Sequence, residues 1–126
     1  MAEPSLELQA LTLLGPEGHP FLQDASVQLE SGAKVQLRGG AARGTLLLQA
    51  CAGLVKPATG RILLGGIPLP ELSFLHPWIQ RGAIGWVPTG GGLLVNQTLR
   101  ANVALPLRFH RGLSKSEAER RAEDSL

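Results

Sequence analysis

Gly39, Gly44 and Thr45 are the residues whose types and spacing could do chemistry. They lie in the stretch KVQLRGGAARGTLLLQACAGL, from Lys34 to Leu54. Two glycines separated by four residues, followed by a hydroxyl side chain and an apolar run, match the layout of a phosphate-holding P-loop. Glycines let backbone N–H groups turn toward phosphate oxygens, the next helix adds its N-terminal N–H groups, and the hydroxyl ligates Mg²⁺. The candidate phosphate-binding residues are therefore Gly39, Gly40, Ala41, Ala42, Arg43, Gly44 and Thr45, with Thr45 also the candidate metal ligand. The full pattern places a lysine between the second glycine and the hydroxyl residue. Here Gly44 is followed directly by Thr45, so the lysine position is deleted. Arg43 lies one residue early, and its planar guanidinium fork does not replace a compact ammonium. The competing reading of the same glycines is a tight turn with close helix packing.

Several elements must position that loop. Leu6–Leu14 is apolar at most positions and predicts a first strand, closed by the turn Gly15-Pro16-Glu17-Gly18. Phe21–Leu29 alternates and predicts a half-buried second strand. Lys34–Leu37 predicts the strand that feeds the loop, and Thr45–Leu54 the helix that follows it. Lys56-Pro57-Ala58-Thr59-Gly60 stops that helix, and Arg61–Leu64 is a short strand ended by Gly65-Gly66. Pro68–Arg81 reads as a connection with a helical turn at Glu71–Phe74. Ala83–Val87 predicts another strand, and Pro88–Gly92 a glycine turn. Asn96–Leu105 predicts a helix ending before Pro106. The last helix is the best marked, with Ser114 and Glu117 spaced as a capping box and Lys115–Ser125 strongly charged.

The 126 residues allow one domain at most. Twelve Lys and Arg against ten Asp and Glu give a net charge of +2, with no basic cluster dense enough to read as a nucleic-acid surface. Cys51 is the only cysteine and lies in an apolar run, which reads as a buried thiol. His19, His76 and His110 are isolated and read as surface or turn residues. No apolar run is long enough to span a bilayer, and the expectation is a soluble cytoplasmic chain without direct membrane insertion.

Taken together, the segments resemble the N-terminal half of an ATP-binding cassette (ABC) transporter ATPase. Leu22–Val27 resembles the family's "VLxDVSL" strand, and Gly32–Gly39 the "GExVxLxG" approach to the Walker A loop. Ala52–Ile62 resembles "AGLxxPTSGxI", and Ile84–Thr89 resembles "IGxVFQ", which leads into the Q-loop. Thr98 with Asn102–Leu107 resembles "LTVxENVAxPL", and Gly112-Leu113-Ser114 resembles "GLS". The resemblance implies an α/β fold of the P-loop NTPase type, a partial ABC ATPase core. Its sheet would be mixed, with an N-terminal antiparallel portion and flanking helices. It implies a single partial domain over 1–126, with a β-rich P-loop core at 1–89 and the Q-loop region and start of a helical subdomain at 90–126.

The resemblance also implies ATP and Mg²⁺ as cofactors, and a membrane permease and a second cassette subunit as partners. The location would be cytoplasmic, peripheral to the inner or plasma membrane. The permease's coupling helix would be received at Gly90–Val95. The phrase from Gly91 to Ser114 looks most like cassettes serving lipid or lipoprotein traffic. The departures fall on positions that touch nucleotide in the family. Leu14-Gly15-Pro16 supplies no aromatic to stack on adenine, the Walker lysine is missing, and Thr89 stands at the Q-loop glutamine. The signature, Walker B and switch His segments have no match here. Impaired ATP hydrolysis is the expectation, and a catalytically inactive scaffold or truncated remnant is the competing one. With the rest of the cassette's sheet unmatched, an uncovered apolar face is expected as well.

Overall fold

The computed structural model describes residues 4–71 and 82–126. They belong to two compact units, residues 1–76 and 77–126. The first holds β1 (Leu6–Leu14), β2 (Pro20–Leu29), α1 (Ala41–Cys51), β3 (Thr59–Leu64) and β4 (Ile67–Pro68). The sheet order is β2-β1-β3-β4, and each neighbouring pair is antiparallel.

β1 is hydrogen-bonded along both edges, and its leucines make the core. Leu6 and Leu8 are two residues apart, as are Leu11 and Leu13, but the step from Leu8 to Leu11 is three. In a regular strand that step would put the second pair on the opposite face. A bulge absorbs it: Ala10 has φ 47°, and the register with β2 shifts between Leu8 and Leu11. Leu8, Leu11 and Leu13 are all buried as a result, and Leu11 is fully so. Hydroxyls stand in for the broken ladder. Ala10 N–H donates to Ser26 Oγ at 3.0 Å, and Asp24 N–H donates to Thr12 Oγ1 at 3.2 Å. Gly60 of β3 crosses this bulge with φ 85°, where a Cβ would stand 2.3 Å from the Ala10 carbonyl oxygen.

α1 closes the core from one face. Ala50 is buried with Leu8, Leu11, Leu13, Ile62 and Leu69, and Leu47, Cys51 and Val55 pack against that cluster. These positions recur at helical spacing, and Arg43 and Leu48 face away. Cys51, expected to be buried, is half-buried, and that burial pushes its thiol above its usual range.

The second unit holds α2 (Leu99–Arg111) and α3 (Lys115–Glu123), joined through Gly112 in the left-handed conformation. Ala104 packs against Ala118 and Ala122, with Val103, Leu107 and Leu113 around them. Thr98 caps α2 by accepting the Ala101 N–H, and Ser114 caps α3 by accepting the Glu117 N–H. Glu117 does not complete a capping box; its carboxylate accepts from Arg120 and Arg121 instead.

The structure departs from the sequence reading at several places. Lys34–Leu37 forms no strand, and Val35 and Leu37 are exposed. Ala83–Val87 forms none either: Ala83 is helical, and Val87 is almost fully exposed. A strand needs a ladder partner, and among the described residues neither segment has one. A mixed sheet was expected, and among the described residues the sheet is antiparallel throughout. α1 begins at Ala41, not Thr45, and ends at Cys51, with Gly53 in the left-handed region just beyond its cap. α2 begins later than Asn96 and runs through Pro106 to Arg111. Its packing on α3 through Val103, Ala104 and Leu107 spans the proline, which forfeits one backbone bond without ending the helix. Pro68 pairs in β4, while the rest of the expected connection from residue 72 to 81, including most of the Glu71–Phe74 turn and His76, lies outside the described residues.

Two outcomes follow from this packing. Gly60→Ala is expected to destabilise the chain far more than Gly18→Ala. Both glycines have positive φ, but only Gly60 meets backbone, and nothing lies within 4 Å of a Cβ at Gly18. Gly60→Ala should cost about 3 kcal/mol or more and Gly18→Ala about 1 kcal/mol in urea midpoints, strain plus clash against strain alone. Glu117's carboxyl is held below its usual range, first by its hydrogen bond from Arg120 and then by that from Arg121. A lowered carboxylate pKa stabilises the folded form above the unfolded value, and the gain is lost as pH falls through the folded one. Glu117→Gln should therefore lower helical ellipticity at neutral pH, with the difference from the parent vanishing on acidification below the carboxylate range.

Candidate functional site

Gly39-Gly40 and the first turns of α1 form the candidate site. Gly40 is the N-cap, with extended backbone (φ −65°, ψ 138°) and no side chain to satisfy the helix N-terminus. Arg43 and Gly44 N–H both reach the Gly40 carbonyl, at 3.0 and 3.1 Å. The N–H groups ahead of them have no intrahelical acceptor, as at every helix start. No acidic side chain stands in the first turn. Every residue from Ser31 to Arg43 is exposed, so this end of the helix faces solvent. What the chain offers a phosphate is the N-terminus of a helix and its partial positive charge.

The loop of the pattern is largely gone. Ala41, Ala42, Arg43 and Gly44 are wound into the first turn of α1 and do not wrap around an open cradle. Thr45 is half-buried, and its hydroxyl donates to the Ala41 carbonyl at 3.0 Å. That is the local back-bond of a mid-helix threonine. No lysine stands beside it. Mg²⁺ takes near-octahedral oxygen coordination, usually through carboxylates and substrate phosphates. Among the described residues no group of three or more His, Cys, Asp or Glu could hold a metal ion. The residues present therefore do not make a Mg²⁺–triphosphate site, and no hydrolytic step is derived from them.

Near the Leu14-Gly15-Pro16 turn, apolar side chains turn inward. Phe21, the first aromatic after the Leu14-Gly15-Pro16 turn, packs against the core cluster. Between the end of β1 and α1 lies a hollow of about 110 Å³, lined by Leu13, Leu14, Leu46, Val55, Lys56 and Ala58.

Thr89 belongs to the second unit and is exposed in the turn closed by Gly91 N–H to the Pro88 carbonyl at 3.3 Å. The Pro88–Gly92 turn expected from the glycines is thus present. Beyond it Leu93, Leu94 and Val95 are exposed, Val95 completely. Sequence reasoning placed Asn102 only within a family phrase. Its side chain ties this segment to α2 through four hydrogen bonds, and asparagine inside a predicted helix is the signal that could have raised it.

No family model matches the chain. It is 34% identical over 123 residues to the methionine import ATP-binding protein MetN 3 of Pseudomonas fluorescens, covering 96% of this chain and 38% of that protein. It is 36% identical over 106 residues to the methionine import ATP-binding protein MetN 1 of Bacillus cereus, covering 83% and 30%. The chain thus spans about a third of the length of these relatives. Among solved structures, the ATP-binding cassette MJ0796, a dimer in a post-hydrolysis state bound to ADP and Pi, superposes with a TM-score of 0.78 at 28% identity, over 94% of this chain and 54% of that one. CbiO1 from Clostridium perfringens, part of the transporter complex CbiONQ, has a TM-score of 0.74 at 23% identity, a likeness of fold. With this coverage, the ordered motifs and the antiparallel sheet with its flanking helix, the chain belongs to the ABC transporter ATP-binding subunits, of which it carries part of the cassette.

Proposed function

We propose that the chain is part of the ATP-binding subunit of an ABC transporter, keeping the cassette's scaffold and docking segment while gripping nucleotide too weakly to turn it over. The observation that carries this is the junction at Gly44-Thr45. The lysine is missing, and the residues that would cradle phosphate are helical from Ala41 onward. A helix N-terminus at an exposed site is worth about 0.3–1 kcal/mol to an anion, well short of what a working nucleotide site needs.

The partners are a membrane permease and a second cassette subunit. The docking segment is Gly90–Val95, where Leu93 and Leu94 are exposed. Among the described residues no helix is long and apolar enough to cross a membrane, consistent with a cytoplasmic subunit held at the membrane by its permease. For the solute, relatives named for methionine import match over 106 to 123 residues, against a short phrase resembling lipid or lipoprotein cassettes. An amino-acid import system is therefore the better reading. The alternative is a catalytically inactive scaffold that occupies a permease or cassette position without nucleotide, and the same junction favours it.

Calorimetry with a non-hydrolysable ATP analogue and Mg²⁺ tests the proposal. The chain as it stands should show affinity weaker than about 1 mM, or no heat. Inserting a lysine between Gly44 and Thr45 should tighten binding tenfold or more, about 1.4 kcal/mol. Micromolar affinity without the lysine would overturn the reading. No gain on inserting it would favour the scaffold.

A further inference from the structure

Asn102 sits one turn into α2 and reaches back to the segment before the helix. Its Oδ1 accepts the Leu94 N–H at 2.7 Å, and its Nδ2 donates to the Leu94 carbonyl at 3.1 Å. The side-chain amide thus pairs with both backbone polar groups of one residue, as a neighbouring strand would. Nδ2 also donates to the Thr98 carbonyl at 3.0 Å and lies 3.4 Å from that of Gln97. A turn bond from Gln97 N–H to the Leu94 carbonyl, at 3.0 Å, closes the same loop, and Thr98 caps the helix beneath it.

The loop so held has little else to fix it. Every residue from Gly91 to Arg100 is exposed, and Leu93, Leu94 and Val95 present apolar side chains to solvent. An exposed segment before a helix, such as Gly91–Thr98, is ordinarily mobile when it has no apolar anchor. Aspartate could keep the bond from Leu94 N–H but offers no donor to three carbonyls, and leucine or alanine could make none of the four bonds.

We infer that Asn102 is a positioning residue whose carboxamide fixes the Leu93-Leu94-Val95 edge before any partner arrives. This rests on the docking reading above for its use, though not for its test. A loop already held in its bound shape loses less conformational freedom on docking. The amide's donor side carries most of the arrangement, since it meets Leu94, Gln97 and Thr98 carbonyls together.

Backbone ¹⁵N relaxation on the full chain reads this directly. In the parent, Leu94 and Val95 should show order parameters of about 0.8, near rigid backbone, and Asn102→Ala should drop them below about 0.6 while α2 stays helical. Asn102→Asp should be equally disordered at neutral pH, where its carboxylate meets carbonyl oxygens. It should recover as pH falls through the carboxylate range, because the protonated acid regains a donor. Leu94, Gln97 and Thr98 do not titrate, and Arg100 nearby faces Glu123 of α3 at 3.7 Å, so the parent measured at each pH is the reference. Asn102→Ala should show no such recovery. An ordered Leu94 in Asn102→Ala, or an Asn102→Asp loop indifferent to pH, would overturn the inference. The readout is loop order in the chain alone, so it stands or falls independently of whether a membrane partner docks there.

Discussion

Everything in the first unit hangs on β1 being bonded at both edges. A central strand must satisfy its backbone on two sides and still turn its leucines to one face. The three-residue step between Leu8 and Leu11 makes those demands incompatible in a regular strand. The bulge at Ala10 reconciles them, Ser26 and Thr12 supply acceptors where ladder bonds are lost, and Gly60 leaves room for the crossing strand. Only with Leu8, Leu11 and Leu13 on one face is there a surface for Leu47, Ala50 and Cys51, and only then is the N-terminus of α1 held in place. The site is thus positioned by residues that cannot touch a ligand.

What α1 presents there has been changed by one missing residue. A phosphate loop works because glycines hold the chain open while N–H groups converge, and a lysine adds a full charge to the dipole. With the lysine absent, the chain closes into helix at Ala41, and each N–H beyond the first turn finds an intrahelical carbonyl. The threonine hydroxyl turns to its own helix, as mid-helix threonines do. The missing lysine and the helical path from Ala41 onward meet at the same short stretch. The scaffold beneath is indifferent to both, since its core lies on the opposite side of the helix.

How much of this was legible in the sequence follows from where each signal is local. β1 and the N-cap at Ser114 are set by side chains a few residues apart, and the hydrophobic pattern and hydroxyl spacing expose them, whereas the cap at Thr98 falls inside the helix expected from Asn96. Lys34–Leu37 and Ala83–Val87 have strand-like patterns, but a strand is a relation between two segments, and the partner is not among the described residues. Pro106 read as a stop because propensity is local, and the packing of Val103, Ala104 and Leu107 on α3 is not. The candidate site was legible as a list of residues, while the early start of α1 was not. No pattern of residue types says that a shortened glycine loop winds into helix. Asn102 was hidden for a similar reason: its four bonds depend on the path of a loop eight residues away.

The central proposal is that the N-terminus of α1 offers an anion a helix end but does not hold nucleotide tightly. An amide-resolved NMR titration of the chain with a non-hydrolysable ATP analogue and Mg²⁺ tests it most directly. The account predicts fast-exchange shifts confined to Gly40–Arg43, still unsaturated at millimolar ligand. Saturation at micromolar ligand in slow exchange, with Thr45 and Thr89 shifting alongside the glycines, would contradict it.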